Sequence, residues 1–224
     1  MVRQVIGDIL PFAVIVMVSP FNIVAAILLL FSKRPALDAT CYLAGFVVGV
    51  AVVVGGLTAI AGAIQLDPGS DRSRGASALA VAVGVGLLVA AVHKFRSRPG
   101  PDDTPALPGW MDGIASFGPG KSLGIGAGIG IANPKNIAVA IGTAVAVSSA
   151  GLSSGQQVLV LVVYLVLASL GVATPIIAML VLGDRSGPVL EGWRSWLIQN
   201  NTAMLAVIYL FLGVYMIGKN LGIV

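Results

Sequence analysis

Charge, cysteine and histidine are scarce in this sequence of 224 residues, and each scarcity excludes a class of protein. Only 10% of the residues are Asp, Glu, Lys or Arg, against roughly 25% in a soluble domain. So few charges cannot cover a water-facing surface, which excludes a soluble enzyme. Cys41 is the single cysteine and His93 the single histidine, which excludes a disulfide scaffold, a CxxC redox pair and a Cys- or His-rich metal site. We therefore expect no metal and no other cofactor.

Hydrophobic residues make up 57% of the chain and lie in long runs. A membrane-spanning helix needs about 20 mostly apolar residues, and six runs meet this need: 7–31, 39–64, 76–93, 122–148, 156–183 and 202–220. They predict an all-α integral membrane protein with six transmembrane helices in a single domain, 1–224. Residues 94–121, rich in proline, glycine and aspartate, are predicted to be a linker loop. A shorter polar stretch, 184–199, carries Trp193 and Trp196, which favour the membrane interface.

The basic residues predict an orientation in the membrane. Those that follow runs 1, 3 and 5 are Lys33, Arg34, Lys94, Arg96, Arg98, Lys121, Arg185 and Arg194, against Arg3, Arg72, Arg74 and Lys219 on the opposite side. Lys and Arg are in excess in cytoplasmic loops. We therefore predict that both termini lie outside the cytoplasm.

Two proline motifs occupy matching places in the two halves of the chain. Ser19-Pro20-Phe21-Asn22 lies near the middle of run 1, and Asn133-Pro134-Lys135-Asn136 lies near the middle of run 4. Each half, about 7–93 and 122–224, holds three runs, an odd number, so the halves must have opposite orientations. Interrupted spans at corresponding positions indicate an inverted-repeat transporter.

The residue types of these motifs predict helix breaks. Ser and Asn are favourable N-caps, and proline suits the first position of a helix. Runs 1 and 4 are therefore predicted to be discontinuous, each with a new half-helix starting in the membrane. A helix N-terminus carries about half a positive charge, so two of them arriving from opposite sides predict an anion site. The alternative is a pair of proline kinks, with Asn22 and Asn136 forming hydrogen bonds between helices.

Lys135 is the most informative residue, because it lies at the centre of a span. A cation at that depth costs at least about 2.5–3.5 kcal/mol. Snorkelling to an interface and a structural ion pair are the alternatives, but Asp8, the one acid within a span, lies near the outer end of run 1. We therefore expect an anionic ligand as the partner of Lys135.

Two threonines are further candidates for the same cavity. Thr174 precedes Pro175, which is expected to break run 5, and Thr58 lies at a comparable place in run 2. Plain packing is the alternative for both. Close helix approach through small-residue faces is predicted at Gly45, Gly49, Gly124, Gly126, Gly128 and Gly130.

Two stretches, 18–50 and 108–142, carry a resemblance to a known family. The first contains SPFNIVAAILLLFSKRP and AGFVVGV, and the second PGWMDGIASFGPGKSLGIGAGIGIANPKNIAVAIG. The chain resembles the peptidoglycolipid-addressing (GAP, or sulfolipid-addressing) proteins of the lysine-exporter (LysE) superfamily. This resemblance implies a transporter in a bacterial inner membrane that moves glycolipids toward the cell surface. The positions that match the motifs are Ser19, Pro20, Asn22, Asn133, Pro134, Lys135 and Asn136.

Three functions are consistent with these observations. The first is the export or flipping of an anionic glycolipid by alternating access, with the headgroup at the two motifs. The second is LysE-type export of amino acids or other small solutes, and the third is a non-transporting membrane partner of lipid-synthesis enzymes. An enzyme is not expected, because no nucleophile with a base and no pair of acids lies within the runs. Six helices leave little interior volume for a lipid, so a homodimer is expected, and no nucleic-acid partner is.

Overall fold

The computed structural model describes residues 1–64, 71–98, 100, 109–111 and 113–221. In this part of the chain all regular structure is helical. The α-helices are α1 (Val2–Met17), α2 (Pro20–Leu29), α3 (Pro35–Ile64), α4 (Asp71–Arg96), α5 (Pro119–Ala132), α6 (Pro134–Ser148), α7 (Ser154–Leu182) and α8 (Ser186–Asn220). Short 3-10 turns lie at Gly109–Met111, Ile114–Ser116 and Gly183–Arg185.

Each predicted apolar run coincides with a helix or with two helices that meet at a proline. Runs 1 and 4 are the two divided ones, since they hold α1 with α2 and α5 with α6. Residues 99, 101–108 and 112 of the predicted linker 94–121 lie outside the described residues. The side chains of three basic residues used to predict the orientation, Arg72, Arg74 and Lys219, also lie outside them.

The described helices include stretches long and apolar enough to cross a membrane. By length and composition these are Pro35–Ala63 and Ser154–Gly218, and the pair Val2–Met17 and Pro20–Leu29, bent by 52°, makes a third if it counts as one span. The protein is therefore an all-helical membrane protein in the part that the structure describes. Six spans arranged as an inverted repeat stay a prediction.

The chain divides into two compact units. The first comprises Met1–Ile64 and Leu107–Ser195, and the second Gln65–Ala106 and Trp196–Val224. In the first unit α3 is central and packs against α5, α6, α7 and α2, while α1 packs against α6 and α7. The largest fully buried side chains of its core include Tyr42, Tyr164 and Phe46. In the second unit α4 meets α8 at Gly84 and Gly213, where a Cβ added at Gly213 would lie 2.8 Å from the Gly84 carbonyl oxygen.

Glycines allow α3 and α5 to touch backbone to backbone. A Cβ at Gly45 would overlap the carbonyl oxygen of Leu123, and one at Gly49 would overlap that of Ala127. Gly126 and Gly130 face α3 in the same way, so the predicted small-residue contact is confirmed for these four glycines. Gly124 and Gly128 are different, because a Cβ there would meet open space.

Two expectations about helix ends are wrong. Pro175 lies inside α7, which continues through it to Leu182. Proline removes one backbone donor, so the Gly171 carbonyl lacks its usual helical partner, and packed neighbours make such a loss tolerable in a membrane helix; Pro175 is buried among them. The Thr174 hydroxyl donates to the Leu170 carbonyl (2.7 Å), which is not the carbonyl that Pro175 leaves without a donor. The polar stretch 184–199 is not a loop either, since α8 already begins at Ser186.

Candidate functional site

The first break lies where run 1 was predicted to be interrupted. Helix α1 ends at Met17, and α2 begins with Pro20 at its first position. Because proline has no N–H, the Val16 carbonyl lacks its usual helical donor. Ser19 occupies the N-cap position with extended backbone (φ −104°, ψ 102°), but its side chain forms no capping hydrogen bond. Ser19 therefore lies at the predicted cap position, but the capping hydrogen bond expected of it is not formed; its part in substrate binding stays a prediction.

The second break is tighter and is capped as predicted. Asn133 ends α5 and also caps α6, and Pro134 takes the first helical position. The Asn133 side-chain oxygen accepts a hydrogen bond from the backbone N–H of Lys135 at 3.1 Å. This bond satisfies one of the free donors at the start of a helix.

Lys135 connects the two breaks. Its side chain is 8% exposed, and its Nζ donates to the Ile15 carbonyl oxygen at 2.9 Å. Ile15 lies in the last turn of α1, the negative end of that helix. The start of α6 thus meets the end of α1, an arrangement that differs from the predicted meeting of two helix N-termini. The partner is a neutral carbonyl, so the positive charge of Lys135 has no acid opposite it in this bond, and an ammonium has two further protons to donate.

The two motif asparagines are both buried and incompletely bonded. Asn22 is 1% exposed and Asn136 is 2% exposed. The Asn136 amide nitrogen donates to the Ile129 carbonyl across the second break (3.3 Å), and its side-chain oxygen has no hydrogen-bond partner among the described residues. The Asn22 amide nitrogen also lacks a partner, while the Asn22 backbone carbonyl accepts from the Tyr42 hydroxyl at 3.3 Å. Buried polar atoms are rarely left unpaired, so one donor and one acceptor near the breaks are available to a ligand.

Comparison with known proteins identifies the family. The family model described as "Sap, sulfolipid-1-addressing protein" matches residues 9–222. The chain belongs to the sulfolipid-1-addressing protein family. Neither a curated protein nor a solved structure matches it. The matched range includes both proline motifs of this family member, together with all of its helices from α2 to α8.

The two threonines make no bond to the motifs of this sulfolipid-1-addressing family member. Thr58 is buried in α3, and its hydroxyl donates to the Val54 carbonyl of the same helix at 2.7 Å. Thr174 lies on the exposed side of α7 and donates to Leu170. Both hydroxyls are thus used within their own helices.

A buried carboxylate was missed by the sequence reasoning, which considered Asp8 instead. Asp38 in the first turn of α3 is 1% exposed. One of its oxygens accepts from the Ser32 hydroxyl at 2.7 Å, and the other has no hydrogen-bond partner in the part of the chain that the structure describes. The available signal was an acidic residue in the first turn of a helix, where the helix dipole stabilises negative charge. Among the described residues no group of three or more His, Cys, Asp or Glu side chains could hold a metal ion.

Proposed function

We propose that the protein exports or flips an anionic glycolipid toward the cell surface by alternating access. Membership of the sulfolipid-1-addressing family supports a role in lipid addressing. The proposal adds a transport mechanism to that role. The headgroup binds at the two helix breaks, and the acyl chains stay in the lipid phase through a lateral opening between helices.

The observation that carries this proposal is the buried ammonium of Lys135. It is bonded to a neutral carbonyl of α1, although a charge buried in a membrane is costly. A sulfate, phosphate or carboxylate would be a stronger partner than a carbonyl, since two full opposite charges attract each other strongly where the dielectric constant is low. Binding of the headgroup therefore draws Nζ away from Ile15 and toward the anion.

The unpaired amide atoms extend the same site to the sugar part of the headgroup. The Asn22 amide nitrogen is a free donor and the Asn136 oxygen a free acceptor. A sugar hydroxyl both accepts and donates, so it matches this pair, whereas a purely anionic group satisfies only the donor. Together with Lys135, the asparagines select an anion that is carried on a polyol.

The proposal includes a topology. Six spans form two inverted three-helix repeats in the bacterial inner membrane, with both termini outside the cytoplasm, and the protein is a homodimer without enzymatic activity.

Thiol labelling tests this orientation. Ser97 and Ser153 are exposed and would lie on opposite sides of the membrane. In a Cys41→Ala background, an impermeant thiol reagent should label Ser153→Cys from outside and Ser97→Cys from inside; the reverse pattern would refute this orientation.

Transport of a labelled anionic glycolipid by the protein in reconstituted vesicles tests the mechanism. Lys135→Met should reduce transfer between leaflets to background, because the anion loses its only full positive charge in the site. Lys135→Arg should keep part of the activity, since the charge remains while its shape changes. Lys121→Met is the matched control: Lys121 is exposed at the start of α5 and stacks on Phe117, so transport should be unchanged.

Two outcomes would change the conclusion. Normal transport by Lys135→Met would refute the mechanism, and a changed melting temperature in the same variant would make Lys135 a structural residue. Efflux of a free amino acid that is lost in Lys135→Met, without any lipid transfer by the unmodified protein, would favour the small-solute exporter. The melting temperature of each variant distinguishes a loss of transport in a folded protein from a loss that results from unfolding.

A further inference from the structure

A groove on α4 lies far along the sequence from the two breaks and has no part in the proposed transport mechanism. It has a volume of about 440 Å³ and is lined, within the described part of the chain, by Leu88, Val89, Val92, His93 and Arg96. These residues share one helix face, because positions three and four apart are neighbours. At 1.5 Å per residue the face extends about 12 Å along the helix.

The two ends of this α4 groove differ in chemistry. Leu88, Val89 and Val92 form an apolar end, and Val89 and Val92 are 65% and 52% exposed. His93 and Arg96 form a polar end in the last turn of α4. The groove is therefore amphiphilic along its length, like a lipid with an acyl chain and a headgroup.

Positive charge dominates the polar end. Lys94 and Arg98 lie beside His93 and Arg96, and the sequence has no Asp or Glu from residue 75 to residue 101. The Arg98 guanidinium stacks on the Phe95 ring, 4.3 Å from its centroid, so Arg98 already has a contact outside the groove. Clusters of Lys and Arg at the end of a membrane helix attract anionic lipid headgroups.

A second copy of the chain is a poorer occupant of this face than a lipid. Two copies related by an axis along the membrane normal would present the same patch to each other, with both cationic ends at the same depth. Like charges would then face each other across the contact. An anionic lipid instead complements the charge and covers the apolar end.

We propose that the α4 groove binds an anionic phospholipid, with an acyl chain along Leu88, Val89 and Val92 and the phosphate against Arg96 and His93. This resident lipid is distinct from the transported one. The inference does not depend on the proposed transport function.

Native mass spectrometry of the full-length protein, titrated with short-chain phosphatidylglycerol or phosphatidylcholine, tests this site. Phosphatidylglycerol should bind about tenfold more tightly. Arg96→Gln should remove that preference, whereas Arg185→Gln should keep it, because Arg185 is an exposed arginine outside α4. Val89→Gln should weaken binding of both lipids, while Val52→Gln, at a comparably exposed valine of α3 (59%), should not.

Several results would overturn the proposal. Equal binding of the two lipids, or equal losses in Arg96→Gln and Arg185→Gln, would mean that no specific site exists. Displacement of the lipid by inorganic phosphate at similar concentrations would indicate a phosphate site without acyl recognition. A change in the monomer–dimer ratio in Arg96→Gln without a change in lipid binding would assign the groove to contact between copies.

Discussion

Between α5 and α6 the chain passes through Asn133 alone, whereas between α1 and α2 it passes through Val18 and Ser19. The second break contains its own hydrogen bonds, from the Lys135 N–H to Asn133 and from the Asn136 amide to Ile129. The first break has no side-chain cap, although it shares the cap-proline-x-asparagine pattern.

The first break receives its support from other helices. The Ile15 carbonyl accepts from Lys135, the Asn22 carbonyl accepts from Tyr42, and Met17 lies directly against the backbone of Gly171 in α7. The same motif can therefore be stabilised locally or by distant residues. Two of these three contacts, those of Lys135 and Gly171, come from the second half of the chain.

Adding one methyl group at Gly171 should have the largest effect on the first break. A Cβ there would overlap the Met17 carbonyl oxygen, and two backbones cannot yield as a flexible side chain would. Gly171→Ala should lower the free energy of unfolding by about 3 kcal/mol. Gly128→Ala in α5, where a Cβ meets open space, should leave it unchanged or raise it by up to about 1 kcal/mol. Equal effects of the two substitutions on denaturant unfolding in detergent would contradict the contrast.

Removing the cap side chains should change the free energy of unfolding by less than Gly171→Ala does, and by different amounts at the two breaks. Asn133→Ala should cost about 1 kcal/mol, the usual value of an N-cap hydrogen bond. Ser19→Ala should stay within about 0.5 kcal/mol of the wild type, because no capping bond is lost. The same unfolding measurement applies, and a larger cost for Ser19 would show that its hydroxyl has a cap role.

A loss no larger than that of Asn133→Ala is expected when the hydroxyl that supports Asn22 is removed. Tyr42→Phe removes one 3.3 Å hydrogen bond and keeps the ring, so we expect a loss of about 0.5–1 kcal/mol. Hydrogen exchange should accelerate in α2 and not in α6 if this bond serves the first break. Faster exchange in α6 alone would argue against the division of support described above.

The positions of the helices and of both breaks could be predicted from the sequence, because apolar run length and proline chemistry are local properties. The cap role of Asn133 was predictable for the same reason. The contact of Lys135 with Ile15 was not, since 120 residues separate the partners and a backbone carbonyl leaves no sequence signal. Pro175 shows the opposite error: proline is a helix breaker in general, but Pro175 is buried inside α7, which stays continuous through it.

The contact between α3 and α5 restricts how this protein can move. No layer of side chains separates the two backbones at Gly45, Gly49, Gly126 and Gly130, so the two helices cannot be compressed against each other there. Helix α3 belongs to the first half of the chain and α5 to the second. If the halves rock during transport, α3 and α5 can therefore rotate about this line of contact but cannot approach each other further. Such a movement also has to keep or break the Lys135–Ile15 bond and the backbone contact of Met17 with Gly171, which join α1 to the second half.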